Sequence, residues 1–328
     1  MKRYNLSNTF KRILTAIILL TVNAINLRAQ ETKEAFNIIP LGVKGGDDES
    51  NLSSYMIAPK GSDHYVCLDA GTINAGIQKA IDHQSLKGIS ENVQRKQIKG
   101  YLISHAHLDH VAGLIINSPA DTAKNIYGMP SVLNILRDKY FTWDAWANFA
   151  DEGEKPQLKK YTYFPLIEGN TYPLEGTEMK VKAFELSHGN PYKSTAFLIS
   201  HADSDVLYLG DTGADEIEQS DKLIKLWQTI TPLINSGRLK AIFMEVSFPN
   251  EQPDKQLFGH LTPRLFFSEL SRLESLTNKQ AFKKVSFIVT HIKPPQHQAE
   301  KIKQQLLSGN LKKLKLFFPE QGRRFIIN

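Results

Sequence analysis

Short apolar runs alternate with longer amphipathic stretches along this chain, and the two periods assign its elements. Runs over residues 36–41, 54–57, 65–68, 98–103, 179–186, 196–200, 206–209, 239–246, 285–290 and 314–318 read as strands. Helical spacing predicts helices over 73–83, 130–139, 217–235, 263–276 and 297–307. This is the pattern of an α/β (α+β) protein. No repeat, low-complexity tract or Pro/Gly-rich linker divides it, so one domain over residues 30–328 is expected, long enough to bury a large core.

The amino terminus stands apart. Lys2, Arg3, Lys11 and Arg12 precede an apolar run from Ile13 to Ile25, followed by Leu27-Arg28-Ala29. A basic start, a short apolar run and small residues at its end define a secretory signal peptide over residues 1–29. The run is short for a membrane span, and no cysteine lies near the cut to take a lipid, so no stable membrane insertion is expected after cleavage. An exported protein, periplasmic or secreted, is the expectation.

Removing the leader changes the charge. The whole chain carries 40 basic and 34 acidic residues. Five of the basic residues and none of the acidic ones lie in 1–29, which leaves 35 against 34. A nearly neutral chain is not built to hold long nucleic acid by counter-ion release. The single cysteine, Cys67, excludes an intramolecular disulfide and sits inside an apolar strand as a packed thiol.

The chemistry concentrates in Ser104-His105-Ala106-His107-Leu108-Asp109-His110, directly after the strand over 98–103. Three imidazoles and a carboxylate at a strand end are metal-ligand chemistry. If strand geometry continues through His105 and His107, both point to one side and reach one ion. Asp109 and His110 then fall at the turn into a helix, displaced toward a second. Further donors follow later strands: His188 after 179–186, Asp211 after 206–209, where a carboxylate can bridge two cations, and His291 after 285–290.

The order His-x-His-x-Asp-His, then His, Asp and His, resembles the metallo-β-lactamase superfamily over the whole chain beyond the leader. The run from His105 to Pro119 is similar to the signature of class II cyclic-nucleotide phosphodiesterases, as are Leu41 to Gly46 with Asn51 to Tyr55. Phe258-Gly259-His260-Leu261-Thr262-Pro263 resembles an element of the tRNA 3′-processing nucleases, a phosphodiesterase branch of the same superfamily.

The resemblance implies a four-layer αββα sandwich with two divalent ions, usually zinc, although such ligands also admit manganese or iron. It implies one ion on His105, His107 and His188, another on Asp109, His110 and His291, and Asp211 between them. A water between two cations is acidic enough to act as hydroxide near neutral pH. The implied reaction is hydrolysis of a 3′,5′-cyclic nucleotide, cyclic AMP or cyclic GMP, to a nucleoside 5′-monophosphate. A homodimer is compatible with the sequence.

Around the ligands, His260 is expected to contact the phosphate or protonate the leaving oxygen. Glu245 either orients a metal-bound histidine or is a plain strand-end carboxylate. Asp69 is expected to brace the loops beneath the site by accepting backbone N–H bonds. Thr262 is carried as a substrate contact, although its place before Pro263 is that of a helix N-cap. Trp143 and Trp146, in a cluster with Tyr140, Phe141 and Phe149, are expected to stack on the base, and their helical spacing also fits a buried face. The rival activities on this scaffold are cleavage at RNA ends and hydrolysis of a lactam or thioester. Export and neutral charge argue against the first, and the Gly-His-Leu-Thr element against the second. A vestigial binding protein would have lost ligands, and none is missing from the pattern.

Overall fold

The computed structural model describes residues 35–293 and 298–328, so the leader expected over 1–29 and the helix start expected at His297 lie outside the described residues. Within the unit Ala35–Ile327 the chain builds two seven-stranded sheets. The first contains β1 (Phe36–Gly42), β2 (Ser54–Pro59), β3 (Tyr65–Leu68), β4 (Ile98–Leu102), β5 (Lys124–Gly128) and β6 (Tyr161–Pro165) side by side in that order. The second runs from β7 (Thr171–Pro173) through β8 (Lys180–Ser187), β9 (Lys193–His201), β10 (Ser204–Tyr208), β11 (Leu239–Glu245) and β12 (Ser286–Thr290) to β13 (Lys315–Phe317). The last strand, β14 (Phe325–Ile327), returns to the first sheet and pairs antiparallel with β1.

Three apolar clusters show how these sheets are layered. One joins Ile38, Tyr55, Val66 and Leu102 of the first sheet to Val181, Phe197, Val206 and Phe243 of the second, so the two sheets pack face to face. A second joins the other face of the first sheet, through Ile39, Met56 and Cys67, to Ile77, Val111, Leu114 and Val132 on helices. The third joins Leu207, Ile242, Met244 and Phe287 to Leu226, Trp227, Ile230, Leu265 and Phe266. Each sheet is thus covered by the other on one face and by helices on the other. Strands buried on both faces must be apolar at consecutive positions, which is why they read as continuous runs. None of the described helices is long and apolar enough to cross a membrane.

Several elements depart from expectation. Strand β4 ends at Leu102, and a helix starts at Leu108, so His105 and His107 lie on a loop rather than on extended strand geometry. The stretch expected as one helix over 217–235 is two, Asp215–Glu218 and Lys222–Asn235. Gln219 adopts φ 51° and ends the first, and the Asp215 carboxylate accepts from the amides of Leu223 and Ile224, starting the second. The helix expected over 130–139 is α-helical only over Pro130–Ile135 and closes in a π-helical turn, Leu136–Tyr140. No helix carries Trp143, Trp146 and Phe149, because residues 141–149 are irregular. Strands β5, β6, β7 and β14, and the helices Ser90–Lys96 and Lys279–Phe282, were not anticipated.

Candidate metal centre

Four loops at one edge of the sandwich bring together donors that are far apart in sequence. His105 Nε2 lies 3.0 Å from His107 Nδ1, which lies 3.2 Å from His188 Nε2. His291 Nε2 lies 3.1 Å from Asp109 Oδ2 and 3.2 Å from Asp211 Oδ2. His110 Nε2 is also 3.2 Å from Asp211 Oδ2, while His105 Nε2 and His188 Nε2 are 3.7 and 4.0 Å from the same oxygen. Asp211 thus stands between two groups of donors. His105, His107 and His188 offer one set of convergent ligand atoms, and Asp109, His110 and His291 another.

The outward ring nitrogens are committed. His188 Nδ1 lies 2.8 Å from the Gly259 carbonyl and His110 Nδ1 2.7 Å from Asp69 Oδ2. A carbonyl or carboxylate only accepts, so each Nδ1 carries a proton and turns its Nε2 inward. His105 Nδ1 meets the Ser104 hydroxyl at 3.0 Å, and His291 Nδ1 the Ser247 hydroxyl at 2.9 Å. Backbone closeness makes this possible. A Cβ at Gly45 would lie 2.1 Å from the His291 ring, and one at Gly259, which has φ 81°, 2.2 Å from the Gly189 amide nitrogen.

Electrostatics show what the cluster wants. Burial holds the His105, His107 and His188 pKa values below the ordinary imidazole value, and neighbouring histidines deepen the effect for His105 and His107. Burial also opposes charge on His110, but Asp211, Asp69 and Asp109 outweigh it and raise its pKa well above that value. Burial likewise opposes charge on Asp211, and His110 and His291 reverse the effect, driving its pKa well below the usual carboxylate range. An ionised Asp211 beside three imidazoles that resist protonation, His105, His107 and His188, forms a field that favours a cation of another kind. The buried His110 Nε2 and Asp211 Oδ1 have no hydrogen-bond partner. Inward lone pairs 3.0–3.2 Å apart, together with two orphaned polar atoms, fit divalent metal ions.

Glu245 does more than end a strand. Its Oε1 accepts from His260 Nδ1 at 2.7 Å and its Oε2 from the Ser247 hydroxyl at 2.5 Å, so it reaches His291 through Ser247. Asp69 does accept the Ser104 amide, as expected, but it also takes the Ser104 hydroxyl, Tyr208 and His110. Its larger task is to orient a ring in the cluster. Ser104, Ser247, Gly259 and Lys293 were missed. The serines sit one residue before a histidine and two after Glu245, while Lys293 lies two residues after His291, spacings that carry no signal by themselves.

Three expected substrate contacts lie elsewhere. Thr262 is fully buried and caps the helix Pro263–Leu276, its hydroxyl accepting from the Leu265 amide at 3.4 Å. Trp143 donates its indole N–H to the Pro156 carbonyl, and the half-buried Trp146 to Ser118. Neither is among the residues that line the two cavities beside the donor cluster.

Solved structures place this architecture. The structure of unliganded yeast PDE1 superimposes with a TM-score of 0.77 at 22% identity, covering 90% of this chain and 99% of that one. The metallo-β-lactamase fold protein YhfI of Bacillus subtilis gives 0.58 at 14% identity, covering 88% and 99%. The fold is therefore the metallo-β-lactamase fold, with its histidine and aspartate cluster at the shared edge of two sheets. The profile of the class-II cAMP phosphodiesterases matches residues 34–317, and the chain belongs to that family. It is 39% identical to the 3′,5′-cyclic-nucleotide phosphodiesterase of Aliivibrio fischeri, across 94% of this chain and 97% of that protein.

Proposed function

We propose that the protein hydrolyses 3′,5′-cyclic nucleotides to nucleoside 5′-monophosphates at a centre of two divalent ions, zinc by preference. The observation that carries the metal assignment is the pair of orphaned atoms, His110 Nε2 and Asp211 Oδ1, buried among convergent imidazoles. Family membership supports the substrate class. His105, His107 and His188 would hold one ion and Asp109, His110 and His291 the other, with Asp211 shared. When bound, such ions bring a water close to ionisation at neutral pH and polarise the phosphoryl oxygens.

The remaining steps belong to the chain. Ser104, Asp69, the Gly259 carbonyl and Ser247 hold the ligand rings in one orientation. The water oxygen joins phosphorus, the P–O3′ bond breaks, and a proton ends on the 3′ oxygen. His260, held through Nδ1 by Glu245, stands 3.8 Å from Asp211 Oδ2 with its Nε2 3.2 Å from Lys293 Nζ, and acts on the phosphate through that ammonium. His260→Ala is expected to lower kcat by roughly 10²–10⁴-fold with metal content retained; turnover near that of the unaltered protein contradicts the role.

The leader-like residues 1–29 support export, with the catalytic domain spanning 30–328. A scavenging role for external cyclic AMP follows from that placement.

A further inference from the structure

Two cavities open onto the cluster, and they differ in what they offer a nucleotide. The smaller, about 300 Å³, is bounded by His107, His188, Ile135, Tyr192 and Lys193. Its cation is spent, since Lys193 Nζ lies 2.9 Å from Glu185 Oε2. The larger, about 660 Å³, has Asp109, Leu108, Ile116, Tyr140 and Lys293 in its wall, and the exposed carboxylates of Asp47 and Glu49 line it as well. Both volumes suit small ligands, so their walls decide between them.

Among the described residues, the contacts of Lys293 Nζ are His260 Nε2 at 3.2 Å and the Phe248 ring, 4.9 Å from its centroid; neither is anionic. An ammonium only donates, so His260 Nε2 accepts there while Nδ1–H serves Glu245. The cation is thereby fixed beside the donor cluster without being neutralised. Leu108 and Ile116 project from one helix, 60% and 64% exposed, an apolar strip beside an ionic centre. Tyr140 ends the π-helical turn and its hydroxyl donates to the Ala106 carbonyl at 2.9 Å, which ties its ring to the ligand segment. Of the five aromatic residues between 140 and 149, only Tyr140 lines this cavity.

We propose that the larger cavity is the nucleoside subsite, with the purine base stacked on Tyr140 against Leu108 and Ile116 and the cyclic phosphate met by Lys293. This rests on the phosphodiesterase reading above. Stacking of one base predicts that Tyr140→Ala raises the KM for cyclic AMP by about 5–150-fold. Tyr140→Phe, which keeps the ring and loses the tether, stays within a few-fold of the parent. Trp143→Ala leaves KM unchanged.

The experiment measures KM and kcat of metal-replete protein on cyclic AMP and on methyl p-nitrophenyl phosphate, a diester without a base. A selective loss on cyclic AMP in Tyr140→Ala, restored in Tyr140→Phe, is the expected result. Equal losses on both diesters, equal losses in the two Tyr140 variants, or a KM defect that moves to Trp143→Ala would overturn the subsite. Unaltered protein that cleaves the base-free diester but not cyclic AMP would instead overturn the functional reading itself.

Discussion

Asp69 receives four hydrogen bonds between 2.6 and 2.7 Å, from the Ser104 amide and hydroxyl, His110 and Tyr208, and it is fully buried. A carboxylate that accepts from four donors cannot be exchanged for an amide, because the amide nitrogen would face a donor. Asp69→Asn is therefore expected to lower metal affinity by roughly 10–100-fold, measured by competition with a chromophoric chelator. Affinity equal to the parent would show that Asp69 serves the loops alone. The donors themselves were legible in sequence because four of the seven, His105, His107, Asp109 and His110, stand within two residues of another, while His188 and Asp211 follow apolar runs after one intervening residue and His291 follows its strand immediately. The residues that orient them were mostly not. Ser104 and Ser247 look like ordinary serines until packing brings an imidazole to within 3.0 Å.

Elements with apolar residues on both faces were legible for a physical reason. β3 falls where its pattern places it, since burial between two layers leaves no polar position to confuse the period, and the helix Pro263–Leu276 because its buried Leu265, Phe266, Leu270 and Leu273 keep helical spacing on one face. β5 was hidden because it opens with Lys124 and Asn125, and Lys124 is buried only by pairing with Asp121. β7 and β14 are three residues each and lie at sheet edges, too short for a period to show. The same scale separates two readings of Thr262. As a helix cap, Thr262→Ala should lower the unfolding free energy by about 0.5–2 kcal/mol in chemical denaturation and leave the KM for cyclic AMP unchanged. A KM defect with unchanged stability would restore it as a substrate contact.

At the scale of the whole molecule, two sheets are joined by one core, and the loops at their common edge supply donors from residues 105–110, 188, 211 and 291. Bound ions would tie both sheets together and favour the folded state over the unfolded one by mass action. Chelation is thus expected to lower the melting temperature as well as abolish turnover, and restored zinc should recover both; a melting temperature indifferent to chelator contradicts a metal set across the sheets. The substrate wall was the least legible part of the chain. The π-helical turn at Tyr140 and the irregular residues after it decide which aromatic faces the cluster, and tertiary packing sets both.

The central claim is tested most directly by incubating metal-replete protein with 3′,5′-cyclic AMP, identifying the monophosphate formed and comparing an Asp109→Ala variant. The account predicts nucleoside 5′-monophosphate, with turnover lost in the variant. A 3′-monophosphate, activity that survives the substitution, or no hydrolysis with two ions bound would contradict it.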